Sequence, residues 1–187
     1  VSLLSNNTIL SNKGHIMFTI DNDVKLDYND VLLVPGGNKG FDLETESRSK
    51  VPLKIDFFGL LECVPLIAAN MDHVGTLEMA RELSKHSILT CLNKHYTIQE
   101  LLHFYNTERN AAKYAIYSMG ANDADLSKFM LFDKEMEDSD IPTPVALCVD
   151  VANAYTKNFK NIVKRLAEEF PNYVLIAGNV ATPIITE

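Results

Sequence analysis

The chain is short of basic charge. Its 187 residues carry 17 Lys and Arg against 25 Asp and Glu, a formal net charge of −8. That balance gives no bulk support for a nucleic-acid groove, so no nucleic-acid partner is expected and a small-molecule ligand gains by default. No stretch approaches the roughly 18 consecutive apolar residues of a membrane span. Cysteine is scarce: Cys63, Cys91 and Cys148 are the whole complement. An odd count in a chain this long is no disulfide framework, and the spacing fits no zinc motif, so no metal site is expected from it. Cys91 and Cys148 lie inside apolar runs and read as small buried hydrophobes. A reducing compartment follows, with the cytosol the simplest. Position 1 is Val, not Met. Residues 1–16 lack the roughly 7–15-residue apolar core of a secretory signal and read as a disordered tail, with Met17 a candidate native start.

What is present is an ordinary globular composition, 47% hydrophobic and 22% charged, and enough residues for one domain with a core over 17–187. The stretch Pro65–Asp72 is apolar and then turns abruptly polar at Asn70. A helical pattern follows, about Thr76–Lys85, with Leu77, Ala80 and Leu83 on one face. The same sentence is written four more times. Apolar runs at Ile88–Leu92, Tyr114–Ser118, Val145–Val149 and Tyr173–Ala177 each end on polar residues. Helices are expected after three of them: one opened by a Thr97–Glu100 capping box, one around Asp125–Asp133, and one carrying Phe159, Ile162, Val163, Leu166 and Phe170. Lys134–Ser139 reads as an acidic linker. Upstream, Val31–Val34 reads as a short strand or extended segment stopped by Pro35-Gly36-Gly37, and Val51–Phe58 as a hairpin arm with Leu60-Leu61.

Strands that begin near positions 65, 88, 114, 145 and 173, each apolar throughout and alternating with helices, predict a parallel sheet. A doubly wound sheet and a (β/α)8 TIM barrel compete. No strand-to-helix turn carries G-x-G-x-x-G, and polar residues recur at every strand tip, which favours the barrel. Five strands do not close a barrel, so the expected architecture is one truncated after about five βα strands.

Candidate chemistry sits on those tips. Lys94 is either a surface lysine or a rim cation that holds a phosphate, polarises a carbonyl or pairs with Asp150. Asp150 is that partner or a cap for the next helix. His73 and His95 have no partner visible in the sequence. Ser47 and Arg48 read as a loop or as an oxyanion fork.

Five segments carry more than generic chemistry: Leu26–Pro35 (LDYNDVLLVP), Ile67–Ala80 (IAANMDHVGTLEMA), Asn93–Thr97 (NKHYT), Cys148–Tyr155 (CVDVANAY) and Ala177–Val180 (AGNV). In this order they resemble the GMP reductases, relatives of the IMP dehydrogenases, over about Met17–Thr182. That span corresponds to the N-terminal part of the family's chain. Ala-Asn-Met-Asp at the first strand tip favours reductase over the dehydrogenase's Ser-Pro-Met-Asp. The second and third strands also follow too closely for the CBS pair that the dehydrogenase inserts.

The resemblance implies a cytosolic homotetrameric TIM barrel that converts GMP to IMP with NADPH and releases ammonia. A cysteine attacks purine C2, and a potassium ion sits beside its loop. It further implies supporting catalytic roles for Lys94 and Asp150, and cofactor contacts from Ser47, Arg48, Lys94, Asp150, Val151 and Ala152. The family's Gly-Pro-Gly-Ser-x-Cys-Thr-Thr loop does not occur in residues 1–187, so the nucleophile, the potassium site and most GMP contacts are expected to be missing and the chain inactive alone. An IMP dehydrogenase-like oxidoreductase and a non-catalytic truncated subunit are the alternatives. Three departures stand out: His73 replaces Thr, Asn93 replaces His, and Ala154 replaces Gly, where a positive φ would be strained.

Overall fold

The computed structural model describes residues 8–10, 16–19, 24, 26–32, 49 and 51–181. Two compact units divide at Lys50 and Val51. In the first, β1 (Thr8–Leu10) pairs antiparallel with β2 (Ile16–Thr19), so part of the segment read as a tail lies in a hairpin. Tyr28–Asp30 forms a 3-10 turn, closed by Asp30 N–H donating to the Asp27 carbonyl at 2.9 Å. The Asp30 carboxylate accepts from Asp27 N at 2.9 Å, a local bond that competes with strand pairing. Val31 and Leu32 accordingly belong to no regular element; Leu33 and Val34 lie outside the described residues.

Among its described residues, the second unit is one six-stranded sheet with five helices. Its strands are β3 (Ile55–Phe57), β4 (Leu61–Ala68), β5 (Ile88–Cys91), β6 (Ala115–Met119), β7 (Ala146–Asp150) and β8 (Val174–Gly178). The helices are α1 (Leu77–Ser84), α2 (Ile98–Thr107), α3 (Arg109–Ala112), α4 (Asp123–Asp138) and α5 (Lys157–Glu169). The hairpin arm expected over 51–58 is short: β3 pairs antiparallel with Leu61–Cys63. The first long strand therefore starts well before Pro65. Pro65 sits inside it, where the β4–β5 register shifts between Val64 and Ile67. A residue without an N–H leaves a gap in the ladder, and a bulge absorbs it.

Strand order is β3-β4-β5-β6-β7-β8, the order of the chain, and β4 to β8 are all parallel. A doubly wound sheet would reverse its order at a switch point. This one never does, so right-handed crossovers place every helix on one side. Two apolar clusters confirm it. Leu92, Tyr117, Met119, Leu147 and Val149 pack with residues of α1 to α5. Leu89, Cys91, Ile116, Ala146 and Cys148 pack with Phe57, Cys63 and Val145, and no helical residue joins them. The second face is the inside of a curl, half of a barrel wall.

The helix layer is held by aromatic side chains. Tyr105, Tyr117, Phe129 and Phe132 meet at centroid distances of 5.0–5.7 Å, and Phe170 and Tyr173 extend the group. Truncating one such buried Phe costs about 3–5 kcal/mol. α4 is longer than expected. The segment read as a linker is its last turns, because fully buried Met136 continues the stripe of Leu126, Phe129 and Phe132. The helix stops at Ser139, and Asp140 follows with φ 52°. α2 starts with the expected Thr97–Glu100 capping box, and α5 with Thr156, whose hydroxyl accepts from Phe159 N at 3.2 Å. Among the described residues, no helix is long and apolar enough to cross a membrane.

Candidate active-site rim

The C-terminal tips of β4, β5, β7 and β8 are joined by a chain of hydrogen bonds. After β4 the backbone turns tightly, with Val74 N and Gly75 N both donating to the Met71 carbonyl at 2.9 and 2.8 Å. The Gly75 carbonyl accepts twice from Asn93 at the β5 tip, from its N at 2.8 Å and its Nδ2 at 3.1 Å. Across the opening, Asn70 Nδ2 donates to Asp150 Oδ2 at 2.9 Å. The β7 exit is stitched to β8: Val151 N donates to Gly178 O at 2.9 Å and Asn179 N to Val151 O at 2.8 Å. Ala154 N donates to Asn179 O at 3.2 Å, and Ala181 N to the Tyr155 hydroxyl at 2.7 Å.

Gly75 is required here for space, not for φ. A Cβ on it would lie 2.3 Å from Cys91 O, 2.9 Å from Asn70 Cα and 2.9 Å from Asn93 N. The strain considered for Ala154 is not present: its φ is not positive, and its side chain is fully buried. Its methyl group packs in the helix-side core.

Asp150 ends β7 on the inner face, in line with Ala146 and Cys148. It does not cap α5, a role taken by Thr156. Nor does it pair with Lys94, which is exposed and has no ion pair among the described residues. Strand parity gives the reason. Leu89 and Cys91 are the inward positions of β5, so the next inward position is Asn93. The loop bearing Lys94 is held instead by a residue without any signal in the sequence. Lys128 of α4 donates from Nζ to the Lys94 carbonyl at 2.9 Å and the Tyr96 carbonyl at 2.6 Å. Burial pushes the Lys128 ammonium below the ordinary lysine range, and Asp125 and Glu100 oppose that shift.

His95 does have a partner: its Nε2 lies 3.5 Å from Asp72 Oδ1, with both side chains well exposed. Such a pair is worth little. Val151 is half-buried and Ala152 exposed beside Asp150. Ser47 and Arg48 lie outside the described residues. Below the rim, Cys91 and Cys148 share the inner cluster. Hydrogen bonding with Cys148 and then burial push the Cys91 thiol up, while the same bond draws Cys148 down. All three cysteines lie within strands, and among the described residues no group of three or more His, Cys, Asp or Glu is arranged to hold a metal ion.

A parallel α/β half-barrel with a polar rim at its strand tips is the architecture of barrel enzymes, whose chemistry sits at that rim. The family model for the IMP dehydrogenase / GMP reductase domain matches residues 25–186. The chain belongs to that family. It is 39% identical to GMP reductase 2 of Mus musculus over 173 residues, covering 90% of this chain and 47% of the mouse protein. It is 37% identical to GMP reductase of Vibrio parahaemolyticus, covering 87% and 46%. It therefore spans about half the length of the curated relatives it matches. A crystal structure of inosine 5'-monophosphate dehydrogenase from Legionella pneumophila superposes with a TM-score of 0.56 at 24% identity, over 73% of this chain and 41% of that one. That likeness supports the barrel fold.

Proposed function

We propose that this chain supplies the first half of a GMP reductase barrel, an oxidoreductase that converts GMP to IMP and ammonia with NADPH. The observation that carries the reading is the set of relatives named GMP reductase, at 35–39% identity over about nine-tenths of the chain. The likeness to the Legionella dehydrogenase carries the fold and gives no preference for dehydrogenation.

The rim residues fit a dinucleotide. Lys94 presents an unpaired ammonium among the described residues, and Asp150 keeps Oδ1 open beside the half-buried Val151 and exposed Ala152. NADPH would be held by Lys94, Asp150, Val151 and Ala152 and would supply the hydride; the cofactor roles of Ser47 and Arg48 rest on the family resemblance alone. Lys94 offers a donor and Asp150 an acceptor for proton traffic at the rim. Residues 1–187 alone turn over no GMP in this reading. The family's nucleophile belongs to a rim loop, whereas Cys63, Cys91 and Cys148 sit in strands that face the inner cluster.

A chimera tests the proposal. Residues 25–186 replace the matching segment of the mouse GMP reductase, and GMP-dependent NADPH oxidation is followed. Activity is expected, with Lys94→Ala and Asp150→Ala each lowering it roughly 100-fold or more, the scale of a lost acid–base group. A well-folded chimera that oxidises IMP with NAD instead, or does neither, would sink the reading.

A further inference from the structure

We infer that Asn70 is a positioning residue that acts through Asp150; the inference rests on the NADPH reading above and deepens it. The two residues are 80 apart in the chain and on strands three places apart in the sheet, yet Asn70 Nδ2 donates to Asp150 Oδ2 at 2.9 Å in a partly buried setting. An ionised carboxylate only accepts, so the carboxamide nitrogen must face it. Among the described residues this is the carboxylate's hydrogen-bond partner. A carboxylate held at one oxygen loses rotation about its terminal bond. Oδ1 accepts no hydrogen bond among the described residues, which leaves it for a ligand donor, and the ordering cost is met before the ligand arrives.

Asn70 is itself held in place. It opens the Met71–Gly75 turn, where space for a Gly75 side chain is denied by the Cα of Asn70 and by the backbone of Cys91 and Asn93. The same turn receives both Asn93 bonds from β5. The position of one acceptor on β7 is thereby fixed by three strand tips.

The test is a double-mutant cycle in the chimera described above, read by NADPH binding through nucleotide fluorescence. Asn70→Ala is expected to weaken binding about tenfold, the loss of one hydrogen bond to a charged group. In an Asp150→Ala background the same change should cost less than twofold. Asn70→Ser, which keeps a donor too short to reach, serves as the second variant should Asn70→Ala fail to fold. Equal losses in both backgrounds, or no loss in the parent, overturn the inference and leave the cofactor reading standing. No NADPH binding by the folded parent overturns both.

Discussion

Substituting Gly75 by alanine puts the rim architecture to a quantitative test. The added Cβ meets three atoms inside 3.0 Å: Cys91 O at 2.3 Å, Asn70 Cα at 2.9 Å and Asn93 N at 2.9 Å. All three are backbone, so no rotamer change relieves them. Overpacking of this kind costs about 1–3 kcal/mol and occasionally more. Separating the β4 and β5 tips also stretches the 2.8 Å bond from Asn93 N to Gly75 O, worth about 1 kcal/mol. A total of about 2–4 kcal/mol results, which lowers the thermal midpoint by roughly 5–15 °C for a unit of this size. Gly120→Ala is the control. Its Cβ would meet Asp125 Oδ2 at 2.4 Å, but the next contacts are 3.5 Å or more, and a carboxyl group swings aside. Only the surface bond from Asn122 Nδ2 to Asp125, 2.7 Å long, is given up, under about 1 kcal/mol. Circular-dichroism melts of the two variants decide the matter. A Gly75→Ala midpoint within 2 °C of the parent, or equal to that of Gly120→Ala, would refute the close-approach argument.

Two further outcomes follow from buried and paired polar groups. Thr90 is fully buried in β5, and its Oγ1 has no partner among the described residues; Thr90→Val should hold stability level or raise it by about 1 kcal/mol in urea unfolding, and a loss of that size would contradict it. Arg81 reaches Glu108 with Nε at 2.6 Å and Nη2 at 2.8 Å. That hydrogen bonding holds the Glu108 carboxyl below the ordinary glutamate range. The folded value lies below the unfolded one, so the pair's stabilisation is complete above the ordinary value and fades as pH falls through the folded one. With Arg81 still 38% exposed, the gap between parent and Glu108→Gln should be about 1 kcal/mol or less at pH 7 and narrow as the pH is lowered below the ordinary glutamate range; a gap that widens in acid would be inconsistent.

Much of the fold was written locally. The i, i+3, i+4, i+7 spacing of Phe159, Ile162, Val163 and Leu166 gives α5, and the Thr97–Glu100 pair gives the start of α2. Apolar runs with polar tips give β4 to β8 within a few residues. The missed elements have specific causes. The end of α4 was hidden because Met136 is the sole apolar residue among Lys134–Ser139, and one buried side chain at the right phase keeps a helix on the core. Val31–Val34 read as a short strand or extended segment; its described residues, Val31 and Leu32, lie in no strand, and composition says nothing of the Asp27–Asp30 turn just before them. Pro65 looked like a strand start because proline usually marks an edge; here a bulge carries it inside the strand.

The site divides along the same line. Each polar tip was visible singly, because a polar residue ending an apolar run is a local signal. Which tips meet was not, because that depends on strand parity and on the curl of the whole sheet. Lys94 and Asp150 are both tip residues with opposite charges, and charge alone paired them. Counting inward positions from Leu89 and Cys91 assigns Asn93 to the rim interior, and Asn93 is indeed bonded to the β4 turn. The same count from Ala146 and Cys148 assigns Asp150 to it. The carboxylate then met a neutral carboxamide from three strands away in place of the cation. A neutral donor orients a carboxylate without neutralising it, so the acceptor remains charged for a ligand while Lys94 stays free at the surface. An ion pair between the two would have spent both groups on each other.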